Sequence, residues 1–158
     1  MEPTAALPAP PLTFFAHVTV QVGAPQEVGI TPAGRRRVIP ILGGTVRGDG
    51  WSGQVLPGGA DFQRVIGDTL ADLDARYVLE TDEGERIYVA NRALRAASAE
   101  VTAKLVRGEP VDPALVYFRC TPRFETASPR LAWIHERLFI GTGIRRPDAV
   151  EISFYAVG

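Results

Sequence analysis

The chain has 158 residues, of which 46% are hydrophobic and 22% are charged, a balance typical of a one-domain globular protein. The net charge of −1 gives no general attraction to nucleic acid or to an anionic membrane surface. No apolar run approaches the ~20 residues that a membrane-spanning helix requires, so we expect neither a nucleic-acid partner nor a membrane location.

The N-terminal segment, residues 1–11, carries an acid where a secretory signal has basic residues, and it is rich in proline. We therefore predict a disordered tail over residues 1–11 and a single domain over residues 12–158. The one cysteine, Cys120, excludes an internal disulfide and fits a reducing compartment. Together these features predict a cytoplasmic protein.

Alternating apolar residues and hairpin spacing predict about eight to ten short strands. In chain order they cover Leu12–Val22, Arg36–Leu42, Thr45–Arg47, Ser52–Leu56, Leu70–Thr81, Arg86–Ala93, Leu115–Phe124, Leu131–Ile140 (as one or two strands) and Ala149–Val157. Ala96–Arg107 is the one predicted helix, with Ser98 as its N-cap and Gly108 as its stop. This pattern indicates an all-β sandwich or barrel.

Glycine and proline mark the bends between these segments. Thr31-Pro32-Ala33-Gly34 is typical of a turn. Pro40 cannot donate to a ladder and so predicts an edge, a bulge or a strand end, while Gly43-Gly44 predicts a bend at a barrel corner. Gly48–Gly53 spells G-x-G-x-x-G, but a strand follows it where a dinucleotide site needs a helix, so we interpret it as a hairpin turn.

Other catalytic and metal-binding motifs have no support in the sequence. The two histidines, His17 and His135, lie far apart and have no Cys-x-x-Cys partner, so no metal site is predicted. No G-x-S-x-G elbow or glycine-framed cysteine indicates a nucleophile. What remains is a set of polar residues spaced by two along apolar strands, which on a barrel face either the interior or the solvent.

The chain resembles the domain-of-unknown-function 3237 family, the UPF-0311 proteins, in five runs: GITPAGRRRVIPILGG, LPGGADF, LDARYVLETDEG, VYFRCTPRFET and FIGTGIRRPDAVEI. The resemblance extends from about Leu12 to Val157. It implies a small antiparallel β-barrel, similar in shape to allene oxide cyclase and lipocalin-type barrels, with one short helix. By fold analogy alone it suggests cofactor-free conversion of an apolar small molecule. The chain departs from the family's usual residues at Phe62, Glu83, Cys120 and His135.

We hypothesise a small-molecule pocket in or at the mouth of this barrel. Asp61 and Glu125 are the candidate acid–base carboxylates, and Arg36 and Arg119 would stabilise an anion or enolate. The candidate binding residues are Tyr77, Tyr117, Phe124, Trp133, His135 and Arg76. The chemistry implied is isomerisation, cyclisation or lyase-type proton transfer on an apolar or aromatic metabolite, with no cofactor and no metal.

Two alternatives are open at this point. The barrel could carry or sequester an apolar ligand without converting it, which requires only a lined cavity. Alternatively, Arg36, Asp61, Arg76 and Glu125 could form structural ion pairs that close the barrel ends. A homodimer through an exposed face is compatible with each of these hypotheses.

Overall fold

The fold is described by a computed structural model that covers residue 1 and residues 4–158. Over these residues it has ten strands, one α-helix and two 3₁₀ helices. The strands are β1 (Leu12–Val22), β2 (Gln26–Thr31), β3 (Gly34–Gly48), β4 (Ser52–Val55), β5 (Ala60–Ile66), β6 (Leu70–Thr81), β7 (Arg86–Ala96), β8 (Tyr117–Thr126), β9 (Phe139–Arg145) and β10 (Ala149–Val157). The α-helix is α1 (Ala99–Val106), and the 3₁₀ helices are Pro113–Leu115 and Pro129–Glu136.

The strands form one closed antiparallel β-barrel, which confirms the predicted fold class. Neighbours follow the order β1, β10, β9, β8, β7 and β6 around the wall. Strands β4 and β5 lie end to end between β6 and β3, and β3 pairs with β1 to close the ring, so the wall has eight strand positions. Closure leaves only short edges unpaired, and side chains alternate between the interior and the solvent along every strand.

Strand β3 changes partner along its length, and this explains Pro40 and the adjacent glycines. Strand β2 pairs with β3 as far as Val38, whereas β1 pairs with it from Ile41 onward. Pro40 therefore lies between two partners, where its missing N–H group costs no ladder bond. A Cβ atom on Gly44 would lie 2.0 Å from the Thr19 carbonyl oxygen, so only glycine allows β1 and β3 to pair this closely at the bend.

The two ends of the barrel are closed differently. At one end an aromatic cluster fills the interior; its members are Phe15, Phe124, Phe139, Phe154 and Trp133. Trp133 lies on the 3₁₀ helix Pro129–Glu136. An ion pair between Arg130 of this helix and Glu85 links the helix to the barrel. At the other end lies α1, whose Thr102 and Leu105 are buried. Ser98 caps this helix, accepting a hydrogen bond from the backbone N–H of Val101 at 3.1 Å, as predicted.

Several sequence predictions need correction. The strand prediction over Leu131–Ile140 was wrong: most of this segment is a 3₁₀ helix, because Pro129 starts it and the three-residue spacing of Leu131 and Ile134 buries both on one side. Strands β2 and β5 were not predicted. A strict period of two over Leu12–Val22 predicts that Phe14 shares a face with Ala16 and Val18. A bulge after Phe14 instead turns Phe15 inward and leaves Phe14 on the outside.

The predicted tail, residues 1–11, includes residues 2 and 3, which lie outside the described part of the chain. Residues 4–11 form neither helix nor strand. Among the described residues, no helix combines the length and the apolar character needed to cross a bilayer.

Candidate functional site

The barrel contains a cavity of about 290 Å³ below α1. Its apolar wall includes Val20, Ile39, Ile41, Leu73, Phe118 and Ile152. Its polar side chains include Asp61, Gln63, Tyr77, Asn91, Arg95 and Arg145. Three loop segments surround the mouth, namely Gly23–Pro25, Arg107–Gly108 and Pro147–Asp148. A mostly apolar pocket with a few convergent polar groups is the usual form of a small-molecule site.

Strand register explains why Asp61 and Asn91 lie on the same row of the inner wall. Asp61 of β5 is opposite Ala75 of β6, and Ala75 is opposite Asn91 of β7. Adjacent strands are about 4.8 Å apart, so Asp61 and Asn91 lie about 10 Å apart on the same inner row, with only a methyl group between them. Ala93, also on the cavity wall, leaves further space beside this row. The small residues on β6 and β7 thus create the room that the polar groups face.

Three buried polar atoms on this wall have no hydrogen-bond partner among the described residues: Asp61 Oδ1, the Tyr77 hydroxyl and Asn91 Oδ1. Leaving such an atom unsatisfied costs about 1–3 kcal/mol, and native proteins have few of them. All three belong to residues that line the same cavity. Ordered water or a ligand that enters the cavity can supply hydrogen-bond partners to them.

Asp61 is positioned by a chain of hydrogen bonds. Gln63 Nε2 donates to Asp61 Oδ2 at 2.8 Å, and Arg37 Nη1 donates to Gln63 Oε1 at 3.3 Å. Arg37 Nε in turn donates to Glu27 Oε1 at 2.8 Å. This chain fixes the Gln63 amide on Oδ2 of Asp61, whereas Oδ1 has no hydrogen-bond partner among the described residues.

Burial raises the pKa of the Asp61 carboxyl above its ordinary value of 3.8, against the opposing effects of the Gln63 hydrogen bond and the Arg95 charge. Burial also raises the pKa of the Tyr77 phenol, which therefore stays protonated and can donate a hydrogen bond. The Cys120 thiol has its pKa raised to about 11, chiefly by burial, so it is neutral near pH 7. Asp61 is thus the cavity group best suited to accept and return a proton.

The cavity wall also contains positive charge. Burial lowers the pKa of the Arg95 guanidinium to about 10, which leaves it protonated at neutral pH. Among the described residues, no group of three or more His, Cys, Asp or Glu side chains is arranged to hold a metal ion.

The structure separates the predicted site residues into two groups. Asp61 and Tyr77 lie on the cavity wall. The remaining candidates do not line the cavity: they are Arg36, Arg76, Tyr117, Arg119, Phe124, Glu125, Trp133 and His135. Phe124 and Trp133 belong to the aromatic cluster at the other end, and the other six point outward because their strand neighbours point inward or because they lie on the 3₁₀ helix.

The outward residues make local surface contacts. Arg76 pairs with Asp74 at 3.2 Å, and Arg119 Nη1 donates to Thr142 Oγ1 at 3.0 Å. His135 Nε2 accepts a hydrogen bond from the backbone N–H of Thr126 at 3.1 Å. Among the described residues no arginine forms an ion pair with Asp61, so the structural ion-pair alternative finds no support at this residue.

Sequence reasoning missed the polar residues Gln63, Asn91, Arg95, Arg37 and Arg145. A signal for two of them was present on β7, where every second residue faces inward: Ile87 and Val89 are apolar, and Asn91 then breaks the apolar row. Arg95 follows on the same face. Polar residues at inward positions of an otherwise apolar row indicate a lined interior.

Comparison with known proteins identifies close relatives. The family described as "Protein of unknown function (DUF3237)" matches residues 10–157. A UPF0311 protein of Rhodopseudomonas palustris is 47% identical over 144 residues, which cover 91% of this chain and 94% of that protein. The crystal structure of a conserved protein of unknown function from Rhodopseudomonas palustris superposes with a TM-score of 0.91 at 43% identity, over 96% of this chain and all of that one. An enzyme from Penicillium herquei has the same fold, with a TM-score of 0.72 at 17% identity over 98% of each chain.

Proposed function

We propose, starting from the fact that the chain belongs to the DUF3237 family of proteins of unknown function, that its barrel binds a compact, mostly apolar molecule and transfers a proton on it without a cofactor. The observation that carries this proposal is the convergence of three unpartnered buried polar atoms, on Asp61, Tyr77 and Asn91, upon one cavity. All three atoms belong to residues that line this cavity, and Asp61 is the acid–base group among them.

The size and lining of the cavity limit the ligand. Small-molecule pockets usually have volumes of about 300–1,000 Å³, so a cavity of 290 Å³ is at the lower end of that range. Its walls are apolar apart from the named polar groups. A small ketone or aldehyde with a cyclic or branched hydrocarbon body fits this description.

The polar groups support an enolisation reaction. The ionised Asp61 carboxylate removes a proton from the carbon beside the carbonyl group, and the electron pair of that C–H bond moves to the carbonyl oxygen. The Tyr77 hydroxyl donates a hydrogen bond to this oxygen as its negative charge develops. Return of the proton from Asp61 to the same carbon gives exchange. In a ligand with a β,γ C=C bond, its return to the γ carbon moves that double bond into conjugation with the carbonyl group and gives an isomer. Both outcomes conserve atoms and electrons.

The experiment uses phenylacetone, an apolar aromatic ketone, in D₂O. We expect the protein to accelerate deuterium incorporation beside the carbonyl group by about 10²-fold or more over buffer, the usual contribution of a positioned acid–base group. Ala75→Leu should abolish this acceleration, because the larger side chain fills the space between Asp61 and Asn91. Proton NMR measures the exchange rate.

Ala90→Leu is the matched control, because Ala90 lies on β7 at a position that faces away from the cavity. This variant should exchange at the wild-type rate. Equal rates for Ala75→Leu and wild type would contradict the proposed site. Binding of phenylacetone that Ala75→Leu abolishes, without any exchange in the wild type, would instead identify the barrel as a carrier.

A further inference from the structure

Arg95 is a buried cation without a bonding partner. Its side chain is 4% exposed and lines the cavity. Among the described residues, no acceptor receives a hydrogen bond from its guanidinium group, and no carboxylate forms an ion pair with it. A guanidinium carries five N–H donors, and burying a charge is costly unless it is paired. The cavity wall therefore includes a guanidinium group whose donors have no acceptor among the described residues.

The neighbouring arginines differ from Arg95 in this respect. Arg37, which is 2% exposed, bonds to Glu27, to Gln63 and to the backbone carbonyl of Val106. Arg145 lies on the cavity wall and donates to the backbone carbonyl of Arg146. Two arginines of nearly equal burial thus differ: Arg37 makes three hydrogen bonds, whereas Arg95 makes none among the described residues, so burial alone does not explain the state of Arg95.

The carboxylates near Arg95 do not neutralise it by contact. Asp61 attracts Arg95 electrostatically, but no hydrogen bond joins the two. Asp148, the other acid on the cavity wall, is exposed at the mouth. With Arg37 and Arg145 both acting on it, Arg95 is in a positive environment that favours an incoming anion.

We propose that Arg95 binds a carboxylate group of the ligand, which makes the substrate class small carboxylic acids with a compact apolar body. This inference rests on the proposed function, since it assigns the ligand of the same cavity. The planar fork of a guanidinium matches the two oxygens of a carboxylate, and such bidentate pairs are strong and directional. The apolar body then contacts Phe118, which is opposite Arg95 in the β7–β8 register.

The spacing along β7 agrees with a ligand that has two functional ends. Arg95 is four residues beyond Asn91 on the same inward face, so their Cα atoms are about 13 Å apart along the strand. Part of this distance is taken up by the long Arg95 side chain. A molecule whose carboxylate binds Arg95 places its opposite end near the row that contains Asp61 and Asn91.

The test compares phenylacetate with its neutral isostere phenylacetamide, by isothermal titration calorimetry on the full chain. We expect the wild type to bind phenylacetate about 10- to 100-fold more tightly than phenylacetamide, because a hydrogen bond to a charged group contributes more binding free energy than a neutral one. Arg95→Met should reduce this preference to within a few-fold, and Arg95→Lys should retain only part of it, because the lysine keeps the charge and loses the fork. Arg92→Met is the matched control from the outer face of β7 and should keep the full preference.

The outcomes separate this inference from the proposed function. Equal affinity of the wild type for phenylacetate and phenylacetamide, with both bound only when Ala75 is intact, would overturn the role of Arg95 and leave the cavity as the ligand site. An unchanged preference in Arg95→Met would overturn it as well. Binding of neither probe would overturn the carboxylate assignment, and the phenylacetone exchange experiment then decides the proposed function separately. Binding that survives Ala75→Leu would contradict both proposals. Because the comparison of the two probes is made in the wild type, the test holds even if Arg95→Met does not fold.

Discussion

Asp61→Asn is expected to lower the rate of deuterium incorporation into phenylacetone by about 10²- to 10⁴-fold, the range found when a positioned acid–base group is lost. Asparagine has nearly the same shape, and its side-chain oxygen can still accept the hydrogen bond from Gln63 Nε2. The variant therefore keeps the packing and loses only the group that exchanges the proton. Proton NMR of the exchange reaction measures the difference.

The same substitution has an expected effect on stability that depends on pH. The pKa of Asp61 is raised in the folded state, so the folded protein holds this proton more tightly than the unfolded chain does. The stability of the wild type should accordingly fall as pH rises from about 4 through the folded pKa, and Asp61→Asn should lack this fall. Urea denaturation of both proteins between pH 4 and pH 8 measures the difference in their free energies of unfolding.

Asp72→Asn is the control for the exchange measurement. Asp72 lies on the neighbouring strand β6 and pairs on the outer face with Arg64 at 2.7 Å. This variant should exchange deuterium at the wild-type rate. If Asp61→Asn also exchanges at that rate, Asp61 is not the acid–base group. If its stability falls with pH in parallel with the wild type, burial does not govern the pKa of Asp61.

Phe124→Ala is expected to cost about 3–5 kcal/mol of the free energy of unfolding, as truncation of a buried phenylalanine usually does. Its side chain is 5% exposed, and its ring centroid is 4.9 Å from that of Phe139 and 5.2 Å from that of Phe15. A close-packed interior relaxes only partially around the space that the ring leaves, so the cost includes a residual cavity. Chemical denaturation, with the slope checked for a two-state transition, measures the cost.

This result would assign Phe124 a structural role, where the sequence alone suggested a ligand-binding one. Phe62→Ala is the matched control, because Phe62 is 41% exposed on the outer face and its loss should cost at most about 1 kcal/mol. In the folded population, Phe124→Ala should still bind phenylacetate. Loss of phenylacetate binding with unchanged stability would contradict the structural assignment.

The parts of the fold that sequence predicted well are those in which one strand face is apolar and the other polar. Strands β1, β6 and β10 have the predicted boundaries, because their apolar and polar residues alternate with the pleat of a barrel wall that is exposed to solvent on one face. Strand β2 was missed because it pairs only along β3 and buries little. Strand β5 was missed because its inward positions include Asp61 and Gln63, so the polar residues of the site removed the pattern that would have revealed the strand.

The candidate site was predicted in part. Asp61 and Tyr77 were identified and lie on the cavity wall. For the arginine run before Pro40, the sequence could not show which residue faces inward, since both faces of the following segment are apolar; the inward residue is Arg37, and Arg36 faces out. The link between Asp61 and Asn91 depends on the registers of three strands, and a single sequence does not determine registers between distant segments.

The most direct test of the cavity as a ligand site is the NMR spectrum of alanine-methyl-labelled protein titrated with phenylacetate. We expect the methyl signals of Ala75 and Ala93, on the cavity wall, to shift in proportion to occupancy. The signals of Ala33, in the turn between β2 and β3, and of Ala127, on the outer surface, should not move. Shifts confined to Ala127, or none at Ala75 and Ala93 when phenylacetate is bound, would show that the interior is not where the ligand binds.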